Sequence, residues 1–134
     1  MANPNLIGTT TIYGNTGYIL PAVTTAGQTN WTHNGTTALT GLTPTAGSVN
    51  KINSIVVTNV TGTNASLYVS IANNPTWGSG TAYYIAYNIT VPPTSSIIVT
   101  DRTNYFYVTE NQSVGVQSGT ASALVFVASF EVIT

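Results

Sequence analysis

Ser122-Ala123-Leu124-Val125-Phe126-Val127-Ala128-Ser129-Phe130-Glu131-Val132-Ile133-Thr134 decides the class of fold. Leu124, Phe126, Ala128, Phe130 and Val132 fall on one side of an extended chain, with Glu131 on the other. A strict two-residue period of this kind marks a half-buried strand. The same period recurs upstream. In Ala65 to Asn73, Leu67, Val69 and Ile71 oppose Ser66, Tyr68, Ser70 and Ala72. In Thr81 to Val91, Tyr83, Ile85, Tyr87, Ile89 and Val91 oppose Ala82, Tyr84, Ala86, Asn88 and Thr90. Lys51 to Thr61 is less regular, because Ile55-Val56-Val57 is apolar on both sides, as in a strand covered on both faces.

Turn chemistry separates these runs. Thr61-Gly62-Thr63-Asn64 reads as a short hairpin loop and Asn73 to Gly80 as a longer one. Pro92-Pro93-Thr94, Asp101-Arg102-Thr103-Asn104 and Gln117-Ser118-Gly119-Thr120 mark further turns. About eight strands are expected at this spacing: near 9–13, 17–24, 49–60, 65–73, 81–91, 95–100, 104–109 with 112–117, and 122–133. The count fits an all-β, antiparallel β-sandwich of jelly-roll type. An immunoglobulin-like sandwich is the alternative, although its Cys–Trp–Cys signature is missing. Twenty-five threonines and very few Lys, Arg or Glu favour strands over helices.

The length suits one domain, read as residues 9–134. Residues 1–8 read as an extended N-terminal arm. Residues 24–47, rich in Thr, Gly, Asn and Pro, read as a long loop with a short strand near 37–42. A long loop in a small domain is usually functional.

Only Lys51, Asp101, Arg102, Glu110 and Glu131 carry a formal charge among 134 residues. Ordinary domains devote about a quarter of their residues to Asp, Glu, Lys and Arg. A chain with net charge −1 lacks the repulsion that keeps free proteins dispersed. It is therefore expected to live inside an assembly, as a homo-oligomer with a trimer as one form. Two basic residues cannot track phosphates, so no nucleic-acid partner is expected, and no anionic membrane partner. Without cysteine, disulfides and thiolate metal sites are excluded. The opening Met1-Ala2-Asn3-Pro4-Asn5 has no basic or long apolar stretch of a secretory signal.

Catalysis needs titratable groups. His33 is the single histidine, sits in a loop-like stretch, and has no Gly-x-Ser-x-Gly elbow to serve. Asp101, Glu110 and Glu131 are read as turn or surface residues rather than a hydrolytic pair. The glycines form no phosphate loop; Gly115 and Gly119 read as a bulge or bend. No enzyme activity, cofactor or metal is expected, and no Asp-rich loop supports a Ca²⁺ site. Six Asn-x-Ser/Thr sequons occur, at Asn30, Asn34, Asn59, Asn64, Asn88 and Asn111, as expected by chance in so Asn- and Thr-rich a chain. The aromatics offer more. Trp31, Trp77 and Tyr84 are candidate contact residues for a partner or a glycan, with Trp77 in a Gly/Ser/Pro loop as the best exposed anchor. Asn3, Pro4 and Asn5 are the candidate contacts of the arm.

Several segments resemble small virion structural proteins of tailed, cyanophage-like bacteriophages. They are Met1-Ala2-Asn3-Pro4-Asn5, Thr11-Ile12-Tyr13-Gly14, Lys51-Ile52-Asn53-Ser54-Ile55-Val56-Val57-Thr58-Asn59-Val60, Ile89-Thr90-Val91-Pro92-Pro93 and Ala128-Ser129-Phe130-Glu131. The chain departs from them at Asn111, Gln112 and Ser118, where such proteins often carry acidic residues. The resemblance implies a β-sandwich repeated many times on a virion assembled in the host cytoplasm. Its expected role is a decoration or cement protein on the capsid, contacting copies of itself and the major capsid protein. The alternative is a fibre, collar or tail-tip component that binds a host glycan.

Overall fold

The computed structural model describes Gly8, residues 11–33 and residues 37–134. The expected contacts Asn3, Pro4 and Asn5, and with them the arm apart from Gly8, lie outside the described residues. Ten strands are present among the described residues: β1 (Ile12–Ile19), β2 (Asn30–His33), β3 (Thr37–Thr40), β4 (Val49–Asn59), β5 (Ala65–Ala72), β6 (Ala82–Val91), β7 (Ser96–Thr100), β8 (Phe106–Val108), β9 (Ser113–Ser118) and β10 (Leu124–Ile133). They form an antiparallel β-sandwich. The larger sheet runs β3-β2-β1-β10-β4-β7, with β8 also on β4; the smaller runs β6-β5-β9. The first long strand and the last lie side by side, and the chain crosses between sheets from β4 to β5, β6 to β7, β8 to β9 and β9 to β10. These crossings make the sandwich jelly-roll-like.

β10 is the hub. It pairs with β1 along Ile12↔Ile133 to Ile19↔Phe126 and with β4 along Leu124↔Asn59 to Ile133↔Val49. Leu124, Phe126, Ala128 and Phe130 point inward, as their spacing requires, and are buried. They meet Leu67, Val69, Val114 and Val116 of the smaller sheet. β4 supplies Ile52, Ile55 and Val57 to the same core.

The N-terminal third differs from its sequence reading. One strand, β1, replaces the two expected over 9–13 and 17–24. Gly14 and Gly17 both lie in this continuous strand. At Gly17 a Cβ would sit 3.3 Å from Leu42 and 3.5 Å from Phe130, so the glycine lets core side chains close onto β1. The expected loop over 24–47 contains the β2–β3 hairpin. Trp31 on β2 is fully buried, and its indole N–H donates to the Val114 carbonyl at 3.2 Å. A single burial of that size fixes a segment whose polar composition gave no periodic signal.

Asn59, fully buried at the end of β4, satisfies every side-chain group. Its Nδ2 donates to the carbonyls of Thr63 and Val91, and its Oδ1 accepts from the amide and hydroxyl of Thr61. It ties the β4–β5 turn to the end of β6, and its sequon is closed to modification.

Phe126→Ala should lower the unfolding free energy by about 3–5 kcal/mol, because the hub cannot collapse around the void. Chemical denaturation with circular dichroism measures the loss.

Candidate functional site

β6 is the edge of the smaller sheet and pairs with β5 alone. Two irregularities break its ladder. Between Leu67↔Ile89 and Val69↔Ala86, one β5 residue (Tyr68) opposes two of β6 (Tyr87 and Asn88). Between Val69↔Ala86 and Ser70↔Tyr84, Ile85 is extra. Each bulge reverses the inward–outward alternation. Asn88 accommodates its bulge with φ of 51°, a conformation Asn tolerates better than most residues.

The face expected from simple alternation is therefore not the one formed. Ala86 and Val91 point into the core, whereas Tyr83, Ile85, Tyr87 and Ile89 are exposed together with Tyr84. Tyr87 is 65% exposed and Tyr83 57%. Tyr84, a candidate contact from the sequence, joins Tyr68 and Tyr87 in an edge-to-face trio. The ring centroids lie 4.8 Å apart for Tyr84–Tyr87 and 5.2 Å for Tyr68–Tyr87. The Tyr68 hydroxyl donates to Asn88 Oδ1 at 3.0 Å, locking the trio to the bulge. Such T-shaped pairs are favoured by the ring quadrupole and leave little rotamer freedom to lose on contact.

Edge strands are usually guarded by Lys, Glu or inward charges. Ala82–Val91 carries no charge at all. Its guards are the bulges, and Pro92-Pro93 beyond its end.

The two tryptophans are placed differently from their sequence reading. Trp31 belongs to the core and cannot serve as a contact residue. Trp77 begins a short 3-10 turn, Trp77–Ser79, and is half-buried. Its ring lies flat over two glycines: a Cβ at Gly115 would come within 2.6 Å of it, and one at Gly27 within 2.1 Å. The Trp77 indole N–H donates to Ser70 Oγ at 2.9 Å. Trp77 thus clamps the long β5–β6 connection onto β9 instead of projecting as an anchor.

His33 lies on β2 with Nδ1 3.0 Å from the Thr16 carbonyl, which can only accept, so the proton sits on Nδ1. No nucleophile–base arrangement is formed around it in the hydrogen bonds of the described residues. Groups of three or more His, Cys, Asp or Glu able to hold a metal are absent among the described residues. Asp101 Oδ1 accepts from the Thr103 hydroxyl at 2.6 Å and the Thr103 amide at 2.9 Å. The hydroxyl, then the amide, hold its carboxyl below its ordinary value. Among the described residues, no helix is long and apolar enough to cross a membrane.

No family model, curated protein or solved structure matches this chain.

Two outcomes test these contacts. Gly115→Ala should displace the Trp77 ring, shift its indole N–H resonance away from the Ser70-bonded position, and destabilise by about 1–3 kcal/mol through overpacking. Thr103→Val should raise the midpoint of the Asp101 carboxyl titration, followed by side-chain carbon NMR. The sign follows from a depressed native value: the stabilising effect is complete above the unfolded-state pKa and disappears as pH falls through the native one.

Proposed function

We propose that the chain is a non-enzymatic building block of a repeating protein assembly, and that β6 is the surface through which it joins its neighbours. The observation that carries this reading is the run Tyr83, Tyr84, Ile85, Tyr87 and Ile89, all exposed on an uncharged edge strand. With each aromatic side chain offering roughly 150–250 Å², the strip supplies a large share of the about 800 Å² per partner that a stable interface buries. Leaving it in water would expose both apolar surface and unpaired backbone groups. The scarcity of charge supports the same reading, because only neighbours can shield this surface.

The resemblance of several segments to small virion structural proteins of tailed phages supports one form of that assembly. On that reading the chain decorates or cements the outer surface of a phage head. Each copy adds neutral contacts between shell subunits, and many weak contacts sum by multivalency. The protein is then assembled in the host cytoplasm and carried on the virion.

Purified chain should sediment as an oligomer whose association hardly changes between low and high salt, since no ion pair contributes. Ile85→Lys with Tyr87→Lys should give a monomer with an unchanged circular-dichroism spectrum. A wild-type chain that stays monomeric at high concentration refutes the assembly reading. Tracing the chain in a particle map separates a head location, with many copies over the shell, from a tail location with few.

A further inference from the structure

The charges of this protein are few, and they are not spread over it. A concavity of about 580 Å³ on the outer face of the larger sheet is lined by seven residues, and four of them are Lys51, Asp101, Arg102 and Glu131. Of the five charged residues in the chain, only Glu110 lies elsewhere. Charges that served solubility would be scattered, above all on the exposed edge of β6. Here they converge from positions 51, 101, 102 and 131, brought together by strand pairing.

The depression exists because the ladder is interrupted on both sides of one residue. Against β10, Ser54 pairs with Ser129 and Ile52 with Phe130, so Asn53 is bulged out of register. Against the other edge of β4, β7 stops at Thr100↔Ile55 and β8 starts at Phe106↔Ile52. Asn53 and Ser54 therefore face the Asp101–Asn104 turn instead of a paired strand. Bulges are enriched beside functional sites because they re-aim side chains.

The charges do not neutralise one another by ion pairs among the described residues. Lys51 and Glu131 are cross-strand neighbours. Yet the Lys51 ammonium sits 4.5 Å from the centre of the Tyr105 ring. Asp101 is kept ionised by Thr103. Ser129 also lines a second depression of about 490 Å³ that contains Gly14, Thr16 and His33, so the two depressions adjoin at that residue. Gly14, opposite Glu131 in register, has no atom within 4 Å of where a Cβ would be, so the surface stays open there. Together the two depressions span β4, β10, β1 and β2, roughly 15 Å at the normal strand spacing.

The chemistry defines the ligand. Two cations and two carboxylates give no net charge, so the depression has no net attraction for a polyanion or a polycation. What remains is a neutral molecule with many hydroxyls. A carboxylate takes two adjacent hydroxyl donors, while the guanidinium and ammonium donate to hydroxyl and ring oxygens. Asn53, Ser54 and Ser129 offer both kinds of partner within the same depression. We propose that this groove binds a neutral oligosaccharide of hexose units. The site lies on the opposite sheet from β6 and does not depend on the assembly reading. It also uses none of Trp31, Trp77 and Tyr84, the aromatic candidates for glycan contact.

The test is amide NMR and calorimetric titration of the full chain with a panel of neutral hexose oligomers: α- and β-linked glucans, a mannan, a galactan and a chitin oligomer. A uronic-acid oligomer is the anionic comparison. At least one neutral oligomer should shift Asn53, Ser54 and Ser129, with affinity lost about tenfold in Arg102→Ala and in Asp101→Asn. Tyr84→Lys, on the other sheet, should bind as the wild type does. Failure of every neutral oligomer at about 10 mM overturns the proposal. So does binding that survives Asp101→Asn combined with Glu131→Gln, or preferential binding of the uronic-acid oligomer.

Discussion

The inward row of β10 is the constraint on which the rest of the molecule depends. Leu124, Phe126, Ala128 and Phe130 sit between β1 and β4 and cover the smaller sheet. With almost no ions and no disulfides, burial of such rows is the main force that offsets chain entropy. Everything outside the core is then positioned by pairing to this frame. Glu131 lies opposite Lys51 because β10 and β4 are paired. Ser129 borders both depressions, beside the register shift of β4.

Simple alternation made Leu124 to Phe130 of β10 and Ala65 to Val69 of β5 legible in the sequence, but it slips beyond them, where Ser70, Ala72 and Ile133 are buried and Ile71 and Val132 only half-buried. It failed on β6, where two bulges place Tyr84 and Tyr87, three residues apart, on the same side. Bulges follow from the mismatch between a ten-residue strand and its eight-residue partner, a tertiary property with no local signature. Trp31 illustrates a second limit. Its neighbours are polar and aperiodic, yet one large ring filling the core under β9 sets the path of β2 and β3. The charged groove was hidden for a third reason. Its members are separated by about fifty and thirty residues in the chain, and each looks ordinary at its own turn or strand. Only strand register brings them within one depression.

Both sheets expose apolar side chains, Ile12, Tyr13 and Ile98 on the larger among them, but the charges are not shared between the sheets. The smaller sheet ends in an apolar, uncharged strand fixed by an edge-to-face tyrosine trio, while the larger sheet gathers four of the five charges. A freely tumbling protein gains nothing from such segregation, because both faces meet the same solvent. A subunit held in a layer does gain from it: the apolar edge is removed from water by a neighbour, and the charged face keeps the hydration that buried ions would lose. The scarcity of charge and its concentration are then two aspects of one arrangement. On the proposed assembly, ions are absent where neighbours would have to desolvate them, and present where the surface would remain open to water.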